Sequence, residues 1–270
     1  MSTPTLSSPT SHHLGSEQIA AYQRDGYLIL RGLYTPEEAA AFQQESDRLM
    51  SSGLVHPDNL RTRHRKLENA TEVVERIDPV IDVSPLFHKV VHDSRITTAL
   101  EDLFGEPARL FKDKLIFKAP AMSGYTMHQD YAWWQPQGDV SELPDIHPDK
   151  ILSVMVAIDA ADALNGAIEL FPAAHHTLLS TPGELRNLND DEIKKIDLST
   201  AVLGETAPGD VVIFHSLTPH RSELNRSPRS RRQLYMTYNA ASAGDVYAKQ
   251  QAHYRSYALK GRDENGLFFK

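Results

Sequence analysis

Gly124-Tyr-Thr-Met-His-Gln-Asp-Tyr-Ala-Trp-Trp134 is the stretch on which the reading of this chain turns. His128 and Asp130 stand two apart, so on a β-strand both would project from one face. An imidazole beside a carboxylate supplies part of a two-histidine, one-carboxylate iron site. The triplet is not decisive by itself. His56-Pro-Asp58 and His147-Pro-Asp149 repeat it, and 13 histidines in 270 residues make such repeats ordinary. Those two carry proline in the middle, which removes a backbone donor and favours turns. The triplet at 128 lies instead among aromatic and β-tolerant residues that suit a strand.

Around it, composition narrows the classes. A chain of 270 residues can bury a substantial core, as one domain with an N-terminal elaboration. Hydrophobic content of 40%, charged content of 24% and a net charge of −8 describe a soluble globular protein. They argue against a nucleic-acid partner, which would call for a basic stripe. No apolar run approaches the roughly 18 residues needed to span a bilayer. The N-terminus lacks a basic-then-apolar signal peptide, so the expected location is cytoplasmic. There is no cysteine, hence no disulfide framework and no thiolate metal site. A metal must be held by His, Asp or Glu, which suits iron, manganese or zinc. Nothing in the sequence specifies an oligomeric state.

Residues 1–15, rich in Ser, Thr and Pro, read as a disordered tail with His12 and His13 exposed; residues 16–270 read as a single domain. Ser16 can cap a helix over Glu17–Arg24, ended by Asp25-Gly26, before a short strand at Tyr27–Leu30. Thr35-Pro-Glu-Glu38 has the form of a capping box for a helix over about 36–51. From Val55 to Asp82 the pattern is irregular; Arg61-Thr-Arg-His-Arg-Lys66 reads as a solvated loop, and Val73, Val74 and Ile77 as a strand or short helix. Ser84-Pro85 introduces another helix, and Arg95–Phe104 one more, closed by Gly105.

After Pro107 the period changes to two. Lys112, Lys114 and Ile116 alternate with Leu115 and Phe117. The His128 strand follows, then an almost wholly apolar strand within Lys150–Asp159 and a turn at Leu164-Asn-Gly166. Next come a short strand into Pro172, a polar and partly helical insertion over Thr181–Leu198, a strand at Val211–His215 and another over Arg232–Asn239. The chain beyond 240 is polar. Helices first and at least seven short strands after them favour a mainly β fold. The form expected is a double-stranded β-helix, a jelly-roll or cupin-like barrel over about 107–240, with flanking helices.

The second histidine of a metal triad must come from far along the chain. His220 follows a proline turn at the start of a strand, whereas His215 ends an apolar strand and suits the core. His175 and His176, in the loop after Pro172, stand as supporting candidates. Arg231 could clamp a carboxylate with two parallel N–H bonds, yet Arg226, Arg229, Arg231 and Arg232 form a basic run that equally suits a solvated turn. The residues alone leave that choice open.

The order of motifs resembles the phytanoyl-CoA dioxygenase family of iron(II)/2-oxoglutarate oxygenases. The resembling parts are Asp25-Gly26-Tyr27, Leu115-Ile-Phe-Lys118 leading into His128-Gln-Asp130, Asn165-Gly166, and Phe171-Pro172 with His175. Then come Gly209-Asp210, Phe214-His215, and His220-x-Ser222-x-x-Asn225-x-Ser227 with Arg231, so the resemblance spans about 16–239. It implies iron(II) at His128, Asp130 and His220. It implies 2-oxoglutarate held by Arg231 and Ser222, with Lys112 and Met155 beside it, and dioxygen as the oxidant. Pro172-Ala-Ala-His175 departs from the family's usual Pro-Gly-Ser-His. Relatives that halogenate lack the carboxylate; Asp130 is present, which favours hydroxylation. Lys114, Arg76, Tyr131, Trp133 and Trp134 are the substrate candidates, and two inward lysines would call for an anion. The expected substrate is therefore a small acidic metabolite. The alternatives are a zinc or manganese hydrolase or isomerase on a cupin-like barrel, and a non-catalytic ligand-binding barrel.

Overall fold

A computed structural model of the chain describes residues 11–56, 59–135 and 143–260, with side chains to residue 255. Helices α1 (Ser16–Asp25) and α2 (Pro36–Met50) flank strand β1 (Tyr27–Leu30). The capping box of α2 forms as read: the Glu38 N–H donates to the Thr35 hydroxyl, and the Thr35 N–H donates to the Glu38 carboxylate at 2.9 Å. The N-cap of α1 falls one residue before Ser16, on Gly15, whose N–H donates to the Gln18 side chain.

The basic run is not a loop. Thr62–Lys66 is strand β2, paired antiparallel with β3 (Glu72–Ile77). The cause is a counterion: Glu75, 1% exposed, lies 2.9 Å from Arg63 and also pairs with Arg65. A buried carboxylate between two guanidiniums turns a stretch that would favour water into an edge hairpin. Helices α3 (Pro85–Val91) and α4 (Ser94–Phe104) follow, the second closed by Gly105 at φ 71°.

The remaining strands are β4 (Ala108–Lys118), β5 (Ile151–Ala157), β6 (Ile168–Leu170), β7 (Val202–Gly204), β8 (Val211–His215), β9 (His220–Ser222) and β10 (Arg231–Ala240), with a one-turn helix α5 (Asp190–Ile193) between β6 and β7. One antiparallel sheet has the order β1-β8-β5-β10-β4-β3-β2, and a smaller one the order β7-β6-β9. Leu115, Val154, Ile213 and Leu234, on the outer face of the large sheet, pack with Phe42, Phe87 and Leu100 of the helices. Met155, Val212 and Phe214, on its inner face, pack against Ile168 and Leu170 of the small sheet. Every residue of β5 is buried, which accounts for its unbroken apolar run. The double-sheet, cupin-like form is thus present, but the sheets do not close into a continuous barrel.

Both ends of the chain depart from expectation. Leu14 is buried and its N–H donates to Asp102 at 2.8 Å, so residues 11–15 are held against α4; residues 1–10 lie outside the described residues. The polar stretch beyond 240 contains a helix, α6 (Tyr247–Lys260). It is tied down by the Tyr247 hydroxyl donating to Asp113 at 2.6 Å and by the Tyr254 ring 4.2 Å from the Lys112 ammonium. No helix among the described residues is long and apolar enough to cross a membrane.

Ala173 adopts φ 57°, the left-handed region in which a Cβ crowds the following carbonyl. This is where the sequence departs from the glycine of the resembling family. Ala173→Gly should raise stability by up to about 1 kcal/mol, and Ala173→Val should lower it by about 1–2 kcal/mol, read from thermal or urea denaturation.

Candidate metal centre

His128 and Asp130 come together, but not on a strand. His128 forms a lone β-bridge to His220, each N–H donating to the other's carbonyl at 3.0 Å. The chain then turns into a 3-10 helix over Asp130–Trp133, which swings the carboxylate toward the two rings. Gly124 makes the approach possible, since a Cβ there would lie 1.6 Å from the Ser222 carbonyl oxygen. The next residue, Tyr125, is locked to β9 by an N–H to the Ser222 hydroxyl at 3.1 Å.

Asp130 Oδ1 is 3.7 Å from His128 Nε2 and 3.9 Å from His220 Nε2. On their other sides, His128 Nδ1 donates to the Thr126 carbonyl at 2.7 Å and His220 Nδ1 to the Thr218 carbonyl at 2.9 Å. A carbonyl only accepts, so Nδ1 carries a proton in both rings, and both Nε2 atoms face the shared centre. The Ser153 hydroxyl donates to the second oxygen of Asp130 at 2.6 Å. Burial, and then His220, push His128 down to about 3. Burial opposes ionisation of Asp130, but His220, His128, Lys114 and Ser153 more than offset it and hold the carboxyl below its ordinary range. Two neutral imidazoles and one carboxylate are the protonation states a divalent metal needs. Among the described residues these three form the one group of ligating side chains close enough to share an ion.

His215, the competing histidine, lies elsewhere. Its Nδ1 accepts from the Leu217 N–H at 3.1 Å, its Nε2 lies 3.3 Å from Asp149, and its ring is 5.4 Å from that of His175.

Strand register decides between the arginines. Arg231 lies opposite Lys118 of β4, and Arg232 opposite Phe117. Arg232 faces the helices, with Asp159 at 2.7 Å and Asp47 at 2.6 Å. Arg231 lines the cavity that holds His128, Asp130 and His220. It is 2% exposed, and its Nε and Nη1 have no hydrogen-bond partner among the described residues. Burial holds its pKa below the usual guanidinium range. An unpaired buried guanidinium is costly, and a carboxylate would relieve it. Beside it, Lys118 donates to the Ser222 hydroxyl at 3.0 Å, to the Gly166 carbonyl at 3.2 Å and to the Glu223 carbonyl. Burial, and then Arg231, push Lys118 down to about 6.

The phytanoyl-CoA dioxygenase (PhyH) family profile matches residues 22–233. The chain belongs to that family. Among named relatives, the ectoine dioxygenase of Bordetella bronchiseptica is 27% identical over 244 residues, covering 84% of this chain and 76% of the relative. A 2-aminoethylphosphonate dioxygenase from an uncultured bacterium is 28% identical over 232 residues, covering 85% and 83%. Among solved structures, EctD from S. alaskensis with 2-oxoglutarate and 5-hydroxyectoine superposes with a TM-score of 0.73 at 22% identity, covering 85% of this chain and 77% of that one. At that identity the likeness concerns the fold.

Other candidates scatter. Lys114 and Ser222 line the cavity. Lys112 does not: its ammonium is 3.0 Å from Asp78. Arg76 shares that carboxylate at 3.5 Å and meets the Tyr254 hydroxyl at 3.2 Å. Met155 is buried against Val212 and Phe214. The Tyr131 hydroxyl donates to the Ile146 carbonyl at 2.8 Å, and Trp134 packs on Phe111 with centroids 5.7 Å apart, so both belong to a separate apolar cluster. Trp133 is half-buried and is not among the cavity's lining residues. Sequence reasoning passed over Ser153, Tyr125, Tyr235 and Lys118 as site residues. Lys118 continues the alternation of Lys112, Lys114 and Ile116, so its face at least was legible.

The buried histidines carry a pH consequence. Burial, and then His175, push His215 down to about 4, below the 6.5 of a free imidazole. The unfolded chain therefore takes up a proton that the folded chain refuses between those values, and stability falls as pH drops through that window. In metal-free protein, His215→Gln should remove about 2 kcal/mol of the stability difference between pH 7.5 and pH 5, measured by urea denaturation at both.

Proposed function

We propose that the protein is a non-haem iron(II)- and 2-oxoglutarate-dependent dioxygenase that hydroxylates a C–H bond of a small metabolite. The observation that carries this reading is the unpaired, buried Arg231 lining the same cavity as the histidine and carboxylate donors. The same three ligands would serve a hydrolytic zinc or manganese centre; the family and the dioxygenase relatives favour 2-oxoglutarate as the carboxylate that Arg231 takes.

His128, Asp130 and His220 would hold the iron on one side, leaving the opposite side open to co-substrate and oxygen. With iron, 2-oxoglutarate and dioxygen bound, decarboxylation to succinate and carbon dioxide supplies the oxidising power for hydroxylation. Arg231 would clamp the distal carboxylate of the co-substrate, flanked by the Ser222 hydroxyl and Lys118. Thr126 and Thr218 hold the imidazole tautomers through their carbonyls, and Ser153 holds the carboxylate rotamer. Ile116 and Ile168 are apolar walls of the cavity, a surface that favours displacement of water. The names of the relatives, dioxygenases of ectoine and of 2-aminoethylphosphonate, support a small-molecule substrate.

Two substitutions test the co-substrate assignment. Arg231→Leu should raise the apparent KM for 2-oxoglutarate by about 10- to 100-fold, the worth of one or two charge-assisted hydrogen bonds, while iron(II) affinity measured without oxygen stays within about twofold. Arg232→Leu should leave that KM unchanged and lower the melting temperature, since it removes pairs to Asp159 and Asp47. Wild-type 2-oxoglutarate dependence in Arg231→Leu would overturn the assignment. For the metal, His220→Ala should lose iron-dependent succinate formation altogether, and His215→Ala should keep it.

A further inference from the structure

Carboxylates around the cavity are already committed. Glu75 sits between Arg63 and Arg65, Asp78 is shared by Arg76 and Lys112, and Glu169 takes Arg221. Lys118 donates to one hydroxyl and two carbonyls. Lys114 lines the cavity beside the metal-binding group, yet no hydrogen bond or ion pair reaches its ammonium among the described residues. Its contact is the Tyr235 ring, 5.3 Å away. Burial, and then Arg76, push it down to about 8.

Charge bookkeeping shows what is missing. The two positive charges of iron(II) and that of Arg231 are balanced by Asp130 and the doubly charged 2-oxoglutarate. Lys114 is then a further, half-buried positive charge on the cavity wall, where an ion without a counter-ion carries a desolvation cost. It is also set apart from the co-substrate clamp. Lys114 pairs with Tyr235 across the strands and Arg231 with Lys118, four residues further along β4. That is about 13 Å of strand, so the carboxylate held by Arg231 is not the group that meets Lys114.

We propose that Lys114 is the anchor for an anionic group on the substrate, a carboxylate, phosphonate or phosphate, and that this anchor sets which C–H bond faces the metal. The inference rests on the hydroxylase reading and names its substrate class. A compact acidic molecule would complete the charge of the site; a neutral one would leave the ammonium unpaired.

The test uses the full chain without oxygen, loaded with iron(II) and 2-oxoglutarate. The visible absorption of the iron–2-oxoglutarate chelate reports on the hydroxylase reading by itself, and its absence from wild type would sink that reading. Acetate and sulfate are then titrated by calorimetry as probe anions, with acetamide as the neutral control. Wild type should bind both anions and Lys114→Met at least about tenfold more weakly, a loss of about 1.4 kcal/mol. Lys114→Arg should bind them within about threefold of wild type, with acetamide binding and chelate absorption unchanged in both variants. Lys114→Gln repeats the comparison should the methionine variant not keep the wild-type melting temperature. Equal anion binding by Lys114→Met, or none by wild type, would overturn the proposal. So would loss of the chelate absorption in Lys114→Met, which would assign Lys114 to the co-substrate.

Discussion

Two backbone hydrogen bonds, from His128 to His220 and back at 3.0 Å, hold the site together. They join the loop after β4 to the start of β9, and so to the small sheet, whose β6 packs under the large one. Without that bridge the two imidazoles would belong to separate layers. With it, their ring centroids lie 4.2 Å apart, and Asp130 reaches both through one turn of 3-10 helix. Gly124 enters the same constraint from the side, because any side chain there would collide with β9.

The second constraint is electrostatic. The inner face of β4 and the hairpin β2–β3 carry many cations for a chain of net charge −8. Four of them share two carboxylates, Arg63 and Arg65 on Glu75, Arg76 and Lys112 on Asp78, which order the hairpin against β4 and give α6 a surface to dock on. Among the described residues Arg231 and Lys114 form no ion pair, although both line the cavity that holds Asp130. A folded protein keeps such charges only where their desolvation is offset, and a bound anion is the simplest offset. The same asymmetry separates Arg231 from Arg232: neighbours in sequence, one faces the cavity and the other a pair of surface carboxylates.

Much of the fold was legible in advance because its signals are local. Thr35-Pro-Glu-Glu38 specifies a helix start, Gly26 and Gly105 specify helix ends, and the apolar run of β5 can only be an interior strand. The hairpin β2–β3 was not legible, because the carboxylate that orders Arg63 and Arg65 meets them only through strand pairing. Helix α6 escaped for a similar reason: its stretch is polar, and Tyr247 and Tyr254 find Asp113 and Lys112 far back along the chain.

For the site, the sequence by itself determined the inventory: a His-x-Asp triplet, a distant His-x-Ser, and an arginine eleven residues beyond that histidine. Residue chemistry restricts such a set to a narrow class of metal centres, and the order of motifs places the chain in its family. Which histidine joins the pair, which arginine faces inward and which lysine lines the cavity were decided only by the tertiary structure. Each depends on register between strands distant in sequence, and a shift of one residue would exchange every inward side chain for an outward one. Tyr131 and Trp134, beside the triplet in sequence, pack in a different cluster, whereas Lys118, whose face was readable but whose partners were not, stands next to Arg231.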